Sequence, residues 1–277
     1  MSNPALAKSI SVLGLNTNYH DHGEGQVVVL LHGSAPGVSA YSNWRAAMPV
    51  LAKRWRVIAP DIPGFGYTER SPGAVYEMKS WVKHLLAFMD ALNVRKAALV
   101  GNSFGGGLAL ATTLAAPDRV CALVLMGSGG VSFSATEGLM ASWSYTPSEK
   151  NMRDLLTRFV YDPALLTDEL VSSRYAASTE PGALDVFTQL MPPERRAPGA
   201  QVPGIPPEAL MTIDKETLII HGREDNVVPL ENSLTLNRLI SKSQLHVFGR
   251  CGHWAQAEQR ERFHNLVEDF LAEQLAT

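Results

Sequence analysis

The chain has 277 residues, of which 45% are hydrophobic and 18% are charged, a composition typical of a globular protein that needs no disulfide or metal to fold. Its formal net charge of −3 gives no basis for binding nucleic acid. Cys121 and Cys251 lack metal-site spacing, and residues 1–15 lack the apolar core of a signal peptide, so we expect reduced thiols and a cytoplasmic protein.

Short apolar runs rich in β-branched residues predict strands that are buried on both faces. Such runs lie at residues 27–31, 56–59, 97–100, 121–126, 217–220 and 245–248. Helix-length amphipathic segments lie between several of them, at residues 75–92, 104–115, 231–240 and 258–271. Strands that alternate with helices favour an α/β fold with a mostly parallel, doubly wound sheet.

The alternation stops between residues 132 and 208. Helical patterns occur there near residues 148–159 and 167–177, and Thr167 followed by two acidic residues predicts a capped helix start. A proline-rich stretch at 192–207 leads back to the next strand. We therefore predict a helical cap, residues 132–208, inserted into a core formed by residues 1–131 and 209–277.

The most informative motif is a G-x-S-x-G turn centred on Ser103, between an apolar run and a helix of small residues. Such an elbow holds a serine hydroxyl on a strained corner, where a substrate can reach it. Gly101 and Gly105 flank the turn because side chains there would collide. The glycine spacing fails the G-x-G-x-x-G pattern, so dinucleotide binding is disfavoured. Residues 97–116 are uncharged, but the polar residues and glycines in their middle favour a strand and a helix over a membrane span.

A base and an orienting acid follow two later predicted strands, at the sheet edge where α/β folds place their chemistry. Asp225 is the predicted acid, with Glu224 as its rival, and His253 is the predicted base. The chain order Ser103, Asp225, His253 is that of the α/β-hydrolase fold. His253 would take the serine proton, and Asp225 would fix the imidazole tautomer.

The oxyanion formed by such a serine needs two backbone N–H groups. Phe104, directly after the nucleophile, supplies the first, and Ser34 in the loop after an early strand supplies the second. His32 and His221 follow predicted strands and are expected to brace loops rather than act as bases.

Several strings together resemble the meta-cleavage product hydrolases, carbon–carbon bond hydrolases of the α/β-hydrolase fold that act in aromatic degradation. They are H-G-S-A-P-G at 32–37, S-N-W at 42–44, G-N-S-F-G-G at 101–106, L-M-G-S at 125–128, H-G-R-E-D at 221–225 and C-G-H-W-A-Q at 251–256. The similarity covers about residues 15–275. The first and last strings are much more specific than the serine elbow, which the whole superfamily shares.

The resemblance implies a 2-hydroxy-6-oxo-hexa-2,4-dienoate type of substrate, whose C5–C6 bond is cleaved by water to 2-hydroxypenta-2,4-dienoate and a carboxylic acid, with no metal or organic cofactor. Arg174 matches the family's substrate-binding arginine, and a guanidinium suits a carboxylate. Asn43, Asn102 and Trp254 match family positions around the dienoate end. His253 would carry protons while the enol ketonises. Ser103 would then attack the C6 ketone or, in a competing scheme, water would add directly to give a gem-diol.

The stretch 130–139 is most similar to family members that act on monocyclic products, such as 2-hydroxymuconic semialdehyde and its alkyl ketone analogues. We therefore favour hydrogen or alkyl at C6, with Gly129, Val227 and Val228 bordering that pocket. The proline-rich stretch at 192–207 departs from the family pattern and bears on this specificity.

Two other functions are compatible with the same fold. A serine carboxylesterase would use the same triad, but a neutral ester needs no arginine clamp. A non-catalytic small-molecule receptor need not retain serine, aspartate and histidine together. In every case we expect a small-molecule partner, no nucleic acid and no membrane, and the resemblance adds a possible homodimer or larger homo-oligomer.

Overall fold

The fold is built on one eight-stranded sheet. A computed structural model describes residues 3–71, 73–190, 197 and 199–276. The strands of the large sheet are β1 (Lys8–Val12), β2 (Leu15–His22), β3 (Val27–Leu31), β4 (Arg56–Pro60), β5 (Ala97–Asn102), β6 (Val120–Met126), β9 (Thr217–Gly222) and β10 (Ser243–Phe248), and a separate antiparallel pair is formed by β7 (Phe133–Ser134) and β8 (Gln201–Val202). The order in the large sheet is β1-β2-β4-β3-β5-β6-β9-β10.

Within the large sheet, the neighbouring strands β4, β3, β5, β6, β9 and β10 all pair in parallel. Strands β1 and β2 form an antiparallel hairpin, and β2 pairs with β4 in antiparallel fashion. The predicted mostly parallel α/β sheet is thus confirmed. The apolar-run criterion misses the hairpin because β2 buries polar side chains through hydrogen bonds, such as Thr17 to His84 and Asn18 to Asp61.

Helices cover both faces of the sheet. In chain order, the α-helices of the described residues are α1 (Ala40–Trp44), α2 (Met48–Leu51), α3 (Met78–Ala91), α4 (Phe104–Ala115), α5 (Glu137–Trp143), α6 (Glu149–Leu156), α7 (Asp168–Ser178), α8 (Ala183–Leu190), α9 (Pro207–Leu210), α10 (Leu230–Leu239), α11 (Ala255–Glu258) and α12 (Arg260–Gln274). Val29 and Leu31 of β3 pack with residues of α3, α4 and α10, while Val28 and Leu30 pack with residues of α1, α2 and α12. Because both faces of β3 are buried, its sequence is continuously apolar.

Helices α5 to α8 lie between β6 and β9 in the chain. A third apolar cluster joins α6 and α7 to Ala35 in the loop after β3 and to Val227 and Val228 in the loop after β9. The Thr167 side chain accepts a hydrogen bond from the N–H of Leu170, which confirms the predicted helix start. The boundaries 132–208 of the cap stay a prediction. Within the proline-rich stretch, residues 192–196 and 198 lie outside the described residues.

The uncharged segment at residues 97–116 forms β5 and α4, as predicted. Among the residues that the structure describes, no helix combines the length and the apolar character needed to cross a membrane. Cys121 and Cys251 are both free thiols.

Candidate active site

Ser103 occupies a sharp turn between β5 and α4. Its φ of 55° and ψ of −118° are strained for a residue with a side chain. A Cβ atom on Gly101 would lie 2.4 Å from the carbonyl oxygen of Gly105, and a Cβ on Gly105 would lie 2.2 Å from that of Leu31. Only glycine therefore fits at these two positions, for the reason that the sequence indicates.

His253 and Asp225 form a buried pair on the loops that follow β10 and β9. The His253 Nδ1 and Asp225 Oδ2 atoms are 2.7 Å apart. The other carboxylate oxygen accepts hydrogen bonds from the N–H groups of Val227 and Val228, at 2.7 and 3.0 Å. Burial opposes ionisation of Asp225, yet its pKa is lowered, because the His253 ring and these hydrogen bonds stabilise the carboxylate.

Glu224, the rival acid, holds the backbone of the histidine loop instead. Its Oε2 atom accepts the N–H of Cys251 at 3.0 Å. The N–H of Gly252 donates to Glu258 at 2.8 Å, and that of His253 donates to the carbonyl oxygen of Phe159 at 2.7 Å. Three consecutive N–H groups are thus anchored, so the His253 side chain is presented by a fixed backbone.

Among the described residues, the N–H groups of Ser34 and Phe104 donate no backbone hydrogen bond, and their role in binding an oxyanion stays a prediction. His32 braces the loop that carries Ser34. Its Nε2 atom accepts the N–H of Ile62 at 2.9 Å, so Nδ1 carries the proton and donates to the carbonyl of Gly33 at 2.7 Å. Burial lowers the pKa of His32 to about 4, which keeps the ring neutral.

One cavity gathers most of the predicted site residues. Its wall includes Ser34, Asn43, Asn102, Ser103, Arg174, Val227, His253 and Trp254. Two predicted pocket residues contact the catalytic loops: the N–H of Gly129 donates to the carbonyl of Ser103 at 3.0 Å, and the carbonyl of Val228 contacts His221 at 3.0 Å. His221 is fully buried between that carbonyl and Ser233 and braces the acid loop, as predicted.

Arg174 extends from α7 into this cavity and is only 3% exposed. Its Nη1 atom donates to Ser42 Oγ at 3.2 Å, and its guanidinium lies 5.5 Å from the centre of the Trp254 ring. Its Nε atom finds no hydrogen-bond partner in the part of the chain that the structure describes. Among the described residues no carboxylate forms an ion pair with it. Burial lowers the pKa of Arg174 to about 10, so the group is cationic at neutral pH. A buried, charged side chain without a counter-ion indicates a site for an anionic ligand.

Two asparagines orient the surroundings of Ser103. Asn102 donates from Nδ2 to the carbonyl of Met126 at 3.2 Å, and Asn43 Oδ1 accepts the N–H of Gly33 at 3.4 Å. The Nδ2 atom of Asn43 is buried and has no hydrogen-bond partner within the described ranges. Asn43 therefore retains a donor for a ligand.

Sequence reasoning missed several residues of the site. Leu139, Ser142 and Phe159 line the cavity from the segment between β6 and β9, and Gln256 lines an adjoining one. Gln256 stands in the C-G-H-W-A-Q string, and Leu139 stands in the stretch 130–139, so both lay within segments already singled out, whereas Ser142 and Phe159 carry no local signal. Their positions depend on how the helices of that segment pack.

The chain is similar to several known hydrolases. A family model described as alpha/beta hydrolase fold matches residues 26–183 and 205–259. The chain is 51% identical to a 2-hydroxy-6-oxo-2,4-heptadienoate hydrolase of Pseudomonas putida over 98% of both chains. It is 50% identical to a 2-hydroxymuconate semialdehyde hydrolase of Pseudomonas sp. strain CF600, over 98% of this chain and 96% of that one.

Among solved structures, a meta-cleavage product hydrolase from Pseudomonas fluorescens IP01, complexed with acetates, is 53% identical. Its TM-score is 0.93, over 98% of this chain and 99% of that one. The similarity therefore covers the region between β6 and β9 as well as the sheet.

Proposed function

Because the chain belongs to the α/β-hydrolase fold family, and within it to the meta-cleavage product hydrolases, we propose that it hydrolyses the C5–C6 bond of 2-hydroxy-6-oxo-hexa-2,4-dienoate type compounds to 2-hydroxypenta-2,4-dienoate and a carboxylic acid. The observation that carries the proposal is Arg174, a buried guanidinium without a carboxylate partner in the cavity of Ser103 and His253. The dienoate carboxylate supplies that counter-ion, whereas a neutral ester does not.

The proposed roles follow from where charge develops. With the carboxylate bound at Arg174, His253 carries the proton that ketonises the enol and so creates an electron sink beside the C5–C6 bond. Ser103, deprotonated by His253, adds to the C6 carbonyl, and the N–H groups of Ser34 and Phe104 hold the oxyanion. Collapse of the oxyanion breaks the C5–C6 bond, and its electron pair passes into a dienolate, which takes the proton from protonated His253 and leaves as 2-hydroxypenta-2,4-dienoate. Water, deprotonated by His253, then hydrolyses the acyl ester, which releases the carboxylic acid and restores Ser103.

The preferred substituent at C6 is proposed to be hydrogen or alkyl. The two curated relatives near 50% identity are named for such compounds, with a methyl group or hydrogen at C6. Val227 lines the cavity. That Gly129, Val227 and Val228 border the C6 end stays a prediction, as do a cytoplasmic location and a homo-oligomer.

The proposal is tested by the absorbance of 2-hydroxy-6-oxohepta-2,4-dienoate mixed with the purified protein. Wild type is expected to consume the compound rapidly, while Ser103→Ala binds it without releasing product. A stable absorbance with wild type would contradict the function.

The acyl-enzyme step is tested separately by quenching wild type within its first turnovers and measuring the mass of the intact protein. An acyl adduct on Ser103 is expected. Rapid turnover with no adduct at any quench time would favour direct addition of water.

A further inference from the structure

Three buried polar atoms without hydrogen-bond partners among the described residues belong to side chains that line one small cavity. They are Arg174 Nε, Asn43 Nδ2 and Gln256 Oε1. The cavity has a volume of about 70 Å³ and adjoins the catalytic one, because Asn43, Arg174 and Trp254 line both. Unpaired buried polar atoms are costly in a folded protein, so three of them at one cavity indicate a ligand that pairs with them.

The orientation of both amide groups is fixed by their neighbours. Gln256 is 4% exposed, and its Nε2 atom donates to the carbonyl of Asn43 at 3.3 Å. Rotating the amide by 180° would oppose two oxygens, so Oε1 is the unpaired atom. Asn43 in turn uses Oδ1 to accept the N–H of Gly33, which leaves Nδ2 unpaired. The side chains that line the cavity therefore carry two unpaired donors and one unpaired acceptor among the described residues.

The charge of the cavity selects the kind of ligand. Arg45 and Arg174 both line it, and none of its described lining residues is acidic. An anion is thus favoured beside the two donors, and a hydroxyl group beside the acceptor. A carboxylate with a hydroxyl on the adjacent carbon presents this pattern, and it is the C1–C2 end of a 2-hydroxydienoate.

We propose that Gln256 determines specificity for the 2-hydroxyl group of the substrate, which donates a hydrogen bond to Oε1 while Arg174 and Asn43 bind the adjacent carboxylate. The proposal rests on the proposed function. It assigns to Gln256 the discrimination between a 2-hydroxydienoate and the same dienoate without the hydroxyl.

The test compares two ligands, 2-hydroxy-6-oxohepta-2,4-dienoate and 6-oxohepta-2,4-dienoate, binding to the Ser103→Ala protein. Their Kd values are measured by absorbance titration with Gln256 intact and in Ser103→Ala/Gln256→Met. Both ligands carry the carboxylate, so any displacement of Asn43 affects both and cancels in their ratio. Ser103→Ala/Gln259→Leu serves as the matched control, because Gln259 contacts the carbonyl of Arg250 outside the cavity.

With Gln256 intact, the hydroxylated ligand is expected to bind about 10- to 100-fold more tightly. Gln256→Met should abolish this preference, and Gln259→Leu should retain it. Thermal unfolding verifies the fold, and Gln256→Ala replaces Gln256→Met if the latter is unstable. An unchanged preference in the Gln256 variants would overturn the proposal and leave water as the cavity's occupant. Failure of Ser103→Ala to bind either ligand, together with an inactive wild type, would instead overturn the proposed function.

Discussion

At the scale of single residues, the site is defined by charges that the fold leaves without partners. Arg174 lies between Trp254 and Ser42, and no acidic side chain of the described residues forms an ion pair with it, so its burial costs stability in the absence of a ligand. A protein retains such a residue where a ligand supplies the missing charge. Asn43 is a similar case: its Oδ1 atom accepts a hydrogen bond, while its buried Nδ2 atom is unpaired among the described residues and would gain a partner from a ligand.

Replacing Arg174 with Gln is expected to lower kcat/KM for the dienoate by about 100-fold, since a charge-assisted hydrogen bond contributes about 1.5–3 kcal/mol. Hydrolysis of a neutral ester such as 4-nitrophenyl acetate should fall much less. Steady-state kinetics on both substrates measure the difference, with the half-exposed Arg158→Gln as control. Equal losses on the two substrates would show that Arg174 is only a structural residue.

At the scale of elements, the elbow depends on how closely α4 approaches the neighbouring loops. A Cβ atom on Gly106 would lie 2.1 Å from Ser128 Oγ and 2.7 Å from Ser128 Cβ. One residue further along, a Cβ on Gly107 would have its nearest neighbour at 3.8 Å, an ordinary contact. Adjacent glycines of one helix thus differ in whether the fold requires them.

We expect Gly106→Ala to lower the free energy of unfolding by about 1–3 kcal/mol, because Ser128 is fully buried and cannot move aside without repacking. It should also lower kcat, since the N–H of Gly106 donates to the carbonyl of Ser103. Gly107→Ala should be neutral or stabilising by up to about 1 kcal/mol, because alanine favours the helix. Urea unfolding of the two variants checks this, and similar losses in both would refute the steric argument.

At the scale of the whole molecule, buried carboxylates and histidines form hydrogen bonds between segments that are far apart in the chain. Glu258 accepts the N–H of Gly252 with one oxygen and, at 2.6 Å, that of Tyr161 with the other, joining the histidine loop to the segment after α6. Burial lowers the pKa values of His32 and His84 to about 4 and raises that of Asp61 to about 6.

These shifts predict that stability falls in mild acid. Between pH 6.5 and 4 the unfolded chain protonates both histidines while the folded chain does not, which costs up to about 3 kcal/mol for each. Asp61 acts in the opposite sense, because the folded protein protonates it near pH 6, before the unfolded chain does. This gain in stability offsets the loss from about one of the two histidines. The net contribution of these three groups to the loss from pH 7 to pH 4 should be about 3 kcal/mol by urea unfolding. His84→Gln should remove most of it, and an unchanged pH dependence in that variant would contradict this assignment.

The amino-acid sequence alone was enough to predict the parallel strands, the elbow at Ser103, and an acid and a base after two later strands. These features depend on local patterns: apolar runs, small residues at a tight bend, and polar residues directly after strands. The family resemblance, rather than any pattern in the chain itself, indicated Arg174. Only the tertiary structure decided that Asp225 rather than Glu224 faces His253, that β1 and β2 join the sheet, and that Gln256 and Arg174 line one cavity. Those outcomes depend on which direction a side chain leaves a loop and on hydrogen bonds between residues far apart in the chain, and no local pattern encodes either.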